Sequence, residues 1–311
     1  VIGEPAPAGL RCGFVALLGA PNSGKSTLVN ALTGAKVSIV SPKVQTTRTR
    51  VLGIVMVGDR PDAAQVVLVD TPGIFAPKRR LDRAMIAAAW QGAADADLIG
   101  LLVDARKCER QTDSDTVRII EGLLRNGRRA ILLLNKIDLL KRDRLLAVAD
   151  RMSGEGPFAD IFMISALTGS GIGDFLDHCA ARLPAGPHLF PEDQLSDMPE
   201  RLLAAEITRE KLYLNLHEEL PYALTVETET WEEQDDGSVR IEQTVYVRRD
   251  SQKSIVLGKG GRQIGKIGAA ARKELELLFD RRVHLFLFVK VRDRWQEDPA
   301  RYRDWGLDYS A

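Results

Sequence analysis

The stretch Gly19-Ala-Pro-Asn-Ser-Gly24-Lys25-Ser26-Thr27 constrains this chain more than any other part of it. It satisfies the spacing G-x-x-x-x-G-K-[ST], with an apolar run at 13–19 before it and a helix-compatible run at 25–33 after it. Glycines there let the backbone close around an anion without a side-chain clash. The N–H groups of such a loop and of the helix start then face that anion. Lys25 is placed to reach β- and γ-phosphates and the Ser26 hydroxyl to ligate Mg²⁺, with Asn22, Ser23, Gly24 and Thr27 completing the cradle. A glycine-rich turn of no function is the bland alternative, and the strand–loop–helix context argues against it.

A loop of this kind needs a parallel sheet behind it, and the N-terminal part supplies one. Strand-like runs at 13–19, 51–58, 65–70, 98–104, 130–135 and 161–165 alternate with helix-like runs at 25–33, 81–94, 113–125, 144–152 and 173–183. The strands are nearly continuous in Val, Ile and Leu, as strands buried on both faces should be. The expected class is α/β, a doubly wound and mostly parallel sheet. Composition agrees: 311 residues suit two domains, and 45% apolar with 28% charged residues excludes a disordered chain. The longest apolar stretches fall short of the roughly 20 residues that span a bilayer. Residues 1–10 carry no signal-peptide pattern. Cys12, Cys108 and Cys179 have no metal-ligand spacing and are odd in number, which reads as a reduced, cytoplasmic compartment.

Three further motifs end strands, where ligands bind in open α/β sheets. Asp70-Thr71-Pro72-Gly73 offers a carboxylate for Mg²⁺ through water and a Gly73 N–H for a γ-phosphate. Asn135-Lys136-Ile137-Asp138 offers the Asp138 carboxylate to guanine N1–H and N2–H₂, a donor pair that adenine lacks. A buried acceptor left without its donors is strongly disfavoured, so Asp138 selects guanine. Ser165-Ala166 completes the set with backbone groups for guanine O6.

The C-terminal part reads differently. Four prolines in 184–199 mark a linker. A helix is expected over 200–219, strands over 222–232 and 239–248 about the turn Asp235-Asp236-Gly237, a helix over 251–257, another over 262–279, and a last strand over 283–291. Between the last two helices lies Gly258-Lys259-Gly260-Gly261, a Gly-x-x-Gly loop of the kind that clamps an RNA backbone. A second copy, Gly265-Lys-Ile-Gly268, falls inside the following helix and is read as a packing device. Formal charge is zero overall but segregated. Residues 188–247 hold 4 basic and 15 acidic side chains, whereas 248–294 hold 13 basic and 5 acidic. A charge run is by default a solvated face; with the loop and the element order it becomes a nucleic-acid footprint carried by Lys253, Lys259, Arg262 and Lys266.

With these motifs the chain resembles the Era family of translation-factor-class GTPases, in which a P-loop GTPase domain precedes a type II KH domain. The resemblance covers essentially the whole chain. It includes Thr46-Thr47-Arg48 in the first switch, Leu220-Pro-Tyr222, Val283-His284-Leu285 and the run from Lys290 to Trp295. It implies an N-terminal extension 1–12, a GTPase domain 13–183, the linker 184–199, a KH domain 200–295 and a tail 296–311. It also implies Thr47 as a third Mg²⁺ ligand beside Ser26 and Asp70, and Lys25, Thr47, Gly73 and Asn22 as the catalytic set. Ile74 stands where many GTPases carry a water-orienting Gln, so slow intrinsic turnover is expected. Asn22 keeps two readings, a turn-forming residue or a ligand to K⁺ beside the phosphates. The partners implied are GTP and GDP, the 3′ end of 16S rRNA and the 30S subunit, for a monomer in the cytoplasm that associates peripherally with the inner membrane. Two alternatives stand: a P-loop kinase or ATPase, which Asp138 opposes, and a GTPase whose second domain binds a protein.

Overall fold

The structure, a computed structural model, describes residues 9–59, 63–218 and 220–311; most of the expected extension 1–12 lies outside the described residues. The chain forms two compact units. One holds the residues up to Ser38, Thr47–Asp197 and Tyr302–Ala311; the other holds Ile39–Thr46 and Met198–Arg301.

The first unit is built on six strands: β1 (Arg11–Gly19), β2 (Val51–Val57), β3 (Ala64–Asp70), β4 (Leu98–Asp104), β5 (Ala130–Asn135) and β6 (Phe158–Met163). They lie in the order β2-β3-β1-β4-β5-β6, antiparallel only at β2–β3. Helices cover both faces. The core on one face takes α2 (Arg80–Asp95), α3 (Ser114–Arg125) and α4 (Arg142–Ser153); the other takes α1 (Lys25–Thr33) and α5 (Ile172–Arg182). Every residue of β3 and of β5 is buried, the physical reason for their unbroken apolar sequences. Chain order reverses at β1, which sits between β3 and β4, and the loop after β1 opens at that switch point.

Three features differ from the sequence reading. β6 runs over Phe158–Met163 rather than 161–165, because it is an edge strand with the polar Asp160 inside it and its apolar signal starts late. The proline-rich stretch is not a free linker as far as Asp197. Its backbone is tied to the first unit by Cys12 N–H to Pro184 O (3.2 Å), Gly186 N–H to Leu10 O (3.0 Å) and Ile54 N–H to Leu195 O (2.9 Å). Gln65, fully buried in β3, accepts from the N–H groups of Leu189 (2.8 Å) and Phe190 (3.0 Å) and donates to Phe190 O (2.8 Å). The expected tail 296–311 is divided as well, since Tyr302–Ala311 packs within the first unit.

The second unit follows the expected order: α6 (Glu200–Asn215), β7 (Leu224–Glu233), β8 (Val239–Val247), α7 (Asp250–Leu257), α8 (Arg262–Phe279) and β9 (Val283–Val291); a short α9 (Pro299–Asp304) then runs across the boundary of the two units in the chain. β7 pairs antiparallel with β8, and β8 pairs parallel with β9. The parallel pair requires a crossover, which α7 and α8 provide. The core lies between α6, α7, α8 and one sheet face. Gly268 lies where a Cβ would meet Leu287 of β9 at 3.3 Å, as a packing glycine should; Gly265 faces open space, so packing does not explain it. Within this unit, Val40 N–H donates to Glu210 Oε1 (2.8 Å), and the Arg209 guanidinium donates to the carbonyls of Gln45 and Thr46.

Gln65→Ala should lower stability by about 1–3 kcal/mol, because the N–H groups of Leu189 and Phe190 lose their fully buried acceptor. Urea unfolding with an unchanged m-value checks it; an unchanged midpoint would mean that solvent already reaches residues 189–190.

Candidate functional site

At the C-terminal edge of β1 the loop 19–24 turns into α1. Gly24 has φ +107°, and a Cβ on it would lie 2.2 Å from Asn135 Nδ2. Only glycine satisfies both conditions, which fixes the second glycine of the motif. Lys25 is 6% exposed and donates from Nζ to Gly19 O (3.0 Å) and Ala20 O (3.2 Å). Burial pushes its ammonium down to about 8, opposed by the Asp70 carboxylate.

Asp70 is fully buried at the end of β3. Its Oδ2 accepts from Ser26 Oγ (2.7 Å), Ser38 Oγ (2.7 Å) and Thr47 Oγ1 (3.3 Å), and Ser26 Oγ also lies 2.9 Å from Thr47 Oγ1. Burial raises the Asp70 pKa, against the pull of these hydroxyls and Lys25. Its Oδ1 and the Ser23 hydroxyl are buried with no hydrogen-bond partner. One carboxylate with hydroxyls is an all-oxygen set that fits Mg²⁺, which keeps waters and takes substrate phosphate oxygens rather than a protein cage. Among the described residues no cluster of three His, Cys, Asp or Glu could hold a metal alone. Gly73 lies against Pro21, whose Cα a Cβ would meet at 3.0 Å, and the Ile74 N–H bonds Gly19 O (3.1 Å).

Asn135 joins the remaining motifs. Its Nδ2 donates to Ser23 O (2.8 Å), while its Oδ1 accepts from Lys136 N–H (2.8 Å) and Ala166 N–H (3.0 Å). Lys136 Nζ donates to Asn22 O (2.8 Å) and pairs with Asp104 Oδ2 (2.6 Å). Asn22 itself has φ +63°, the conformation of a turn-forming Asn. The Ser165 hydroxyl donates to Asp138 Oδ1 (2.6 Å) and holds that exposed carboxylate in place. All four motifs thus meet at one sheet edge. Ser38 and Asp104 are the members that motif reading missed. Asp104 ends β4 on the same edge, a signal that was available; Ser38 carries none.

In the second unit, Gly258, Gly260 and Gly261 all have positive φ, and a Cβ on Gly260 or Gly261 would meet nothing within 4 Å. At Gly260 and Gly261 the loop is bare peptide facing open space, whereas Gly258 lies against Gln263. Lys259, Gly260, Arg262 and Lys266 are exposed, and Lys253 and Gly258 are half-buried. Beside the loop, Leu257, Ile264 and Leu287 form a partly buried apolar surface over the core, which the sequence reading did not single out.

Two family models match, a 50S ribosome-binding GTPase over residues 14–136 and a KH domain over 219–296. The chain is 58% identical to GTPase Era of Afipia carboxidovorans, covering 96% of this chain and 95% of that one. It is 59% identical to GTPase Era of Sinorhizobium medicae, over 96% and 94%. Among solved structures, Era in complex with MgGDPNP and nucleotides 1506–1542 of 16S ribosomal RNA superposes with a TM-score of 0.88 at 38% identity, covering 96% of this chain and 99% of that one. An Era variant from Aquifex aeolicus bound to GDP and aluminium fluoride gives 0.86 at 38% identity, over 95% and 99%.

Phosphates arriving beside Lys25 should restore its proton. Near pH 8, where the free-site ammonium is about half-ionised, GDP binding should take up roughly half a proton, and near pH 6 none from this group. Titration calorimetry in buffers of different ionisation enthalpy reads the uptake; no buffer dependence at pH 8 would refute it.

Proposed function

We propose that this chain, which belongs to the Era family of GTPases, uses its guanine-nucleotide site to switch a grip on the 3′ end of small-subunit (16S) ribosomal RNA. The observation that carries this is the whole-chain likeness to Era held on MgGDPNP and 16S rRNA, joined to a bare Gly-x-x-Gly loop among basic side chains.

In this reading Lys25 leaves the carbonyls of Gly19 and Ala20 for the β- and γ-phosphates. Ser23, Gly24, Ser26 and Thr27 supply N–H groups at the start of α1. Ser26, Thr47 and, through water, Asp70 would hold Mg²⁺, which supplies charge neutralisation across the β- and γ-phosphates. Gly73 N–H holds the γ-phosphate. Asp138, oriented by Ser165, reads the guanine edge; Asn135, Lys136 and Ala166 set the height of the base pocket. The apolar Ile74 side chain, 1% exposed, offers the attacking water nothing, so intrinsic turnover is slow. Asn22 is the residue that would use K⁺ as a counter-charge.

On the RNA side, Gly258–Gly261 lets the sugar–phosphate backbone approach the peptide, and Lys253, Lys259, Arg262 and Lys266 supply its counter-charge. Leu257, Ile264 and Leu287 give unstacked bases an apolar rest. We assign the activity to assembly and maturation of the 30S subunit. No helix among the described residues is long and apolar enough to cross a membrane. Peripheral membrane attachment rests on the resemblance alone.

Lys259→Asp with Gly260→Asp should reduce binding of a 16S 3′-end oligonucleotide at least a hundredfold and leave GTP binding within twofold. RNA binding like that of the parent would favour a protein partner for the second unit instead. For the nucleotide half, Asp138→Asn should move preference from GTP to XTP, and the parent should turn over faster in KCl than in NaCl. Retained GTP preference would remove Asp138 as the selector, and equal rates would remove K⁺.

A further inference from the structure

The C-terminal segment Tyr302–Ala311 belongs to the first unit and has no part in the site described above. Tyr302 is fully buried and Leu307 is buried, and they form a small core with Leu81, Ala84 and Met85 of α2. Trp305 and Tyr309 pack on the same core, and Tyr302 meets Tyr309 edge-to-face at 5.0 Å and Trp305 at 6.2 Å. Two guanidinium groups rest on the outer rings: Arg80, at the start of α2, lies 4.4 Å from the Tyr309 centroid, and Arg48 lies 6.0 Å from that of Trp305. Arg48 is 2% exposed and follows Thr47 in the chain. Thr47 is already within hydrogen-bond reach of Ser26 and Asp70.

We propose that this segment is an in-cis positioning element for the γ-phosphate side of the site, with Trp305 acting through Arg48 to hold Thr47 and the Tyr302–Tyr309 cluster holding α2. A ring face attracts a cation most strongly when both are desolvated, and Arg48 is nearly fully withdrawn from water. Fixing Arg48 fixes the peptide next to Thr47. The same aromatic cluster seats the helix that follows the Asp70–Gly73 loop. Both arms that a γ-phosphate must find are therefore braced by one segment, whereas GDP makes no use of Thr47. The inference rests on Thr47 being a ligand of the GTP-bound metal.

The test uses the full-length protein. Trp305→Leu should lower affinity for Mg²⁺·GDPNP and kcat for GTP by roughly tenfold, with GDP affinity within twofold. Trp305→Phe, which keeps a ring, should recover most of both. Arg48→Met should match Trp305→Leu, and the double variant should lose no more than either alone, because the two act as one unit. A general packing role would instead weaken GDP and GDPNP equally, and additive losses in the double variant would separate the two residues; either result overturns the proposal. Should Trp305→Leu fail to fold, Arg48→Met and Arg48→Lys carry the same comparison: loss with Met and partial retention with Lys are expected, and equal behaviour would refute it. Thr47→Ala is the control for the underlying reading. If it leaves the GDPNP-to-GDP ratio unchanged, the assignment of Thr47 fails; if it lowers the ratio while Trp305→Leu does not, only the positioning role fails.

Discussion

The carboxamide of Asn135 spends its donor on Ser23 O and its acceptor on the N–H groups of Lys136 and Ala166, so one buried side chain spans three loops at a single sheet edge. Nothing else could be there. A Cβ on Gly24 would lie inside van der Waals contact with that amide, and an aspartate would replace its donor with a second acceptor facing Ser23 O. The parallel sheet makes the arrangement achievable, because β1, β4, β5 and β6 all deliver their C-terminal ends to the same side. Lys136 repeats the logic at longer range, reaching Asn22 O and Asp104 together. The loops at 19–24 and 135–138 are thus held at a fixed spacing by the protein's own hydrogen bonds, which lowers the ordering cost of binding a ligand across them.

Around this rigid frame the polar groups are deliberately unfinished. An ammonium bonded to two carbonyls of its own loop, a carboxylate with one buried oxygen lacking a partner, and a buried hydroxyl with none are each unfavourable in a folded interior. They sit within one loop and one strand end, while the surrounding core is ordinary apolar packing. Such local inconsistency in an otherwise consistent fold marks a place where a ligand completes the structure. A triphosphate with its cation offers what is missing: anionic oxygens for Lys25 and the loop N–H groups, and a positive centre near Asp70.

Much of this was legible in residue order, for a physical reason. A phosphate loop needs specific backbone freedom and specific side chains at fixed spacing, and buried parallel strands need unbroken apolar runs; both leave dense local signals. What escaped was carried by single polar residues acting over distance. Gln65 reads as a strand residue, yet its amide decides that a proline-rich stretch lies along the first unit as far as Asp197. Ser38 reads as a loop serine, yet it bonds the buried carboxylate of Asp70. The last ten residues read only as part of a tail, because Tyr302, Trp305 and Tyr309 stand at helical spacing in a run too short to argue for a helix of its own. Its meaning appears only when α2 is set beside it.

In the proposed reading of the second unit, charge and glycine divide the work of holding RNA. Basic side chains supply attraction that is strong, long-ranged and indifferent to sequence. Gly260 and Gly261 contribute no attraction; they remove the Cβ atoms that would keep a sugar–phosphate chain at a distance, whereas Gly258 makes room for Gln263. In that reading the partly buried Leu257, Ile264 and Leu287 are where base shape would be felt, because phosphate contacts position without specifying. Thr46, whose carbonyl accepts from Arg209 in the second unit, is the chain neighbour of Thr47, which bonds Ser26 and Asp70 in the first. In the proposed reading, a γ-phosphate that fixes Thr47 also constrains the peptide that Thr47 shares with Thr46.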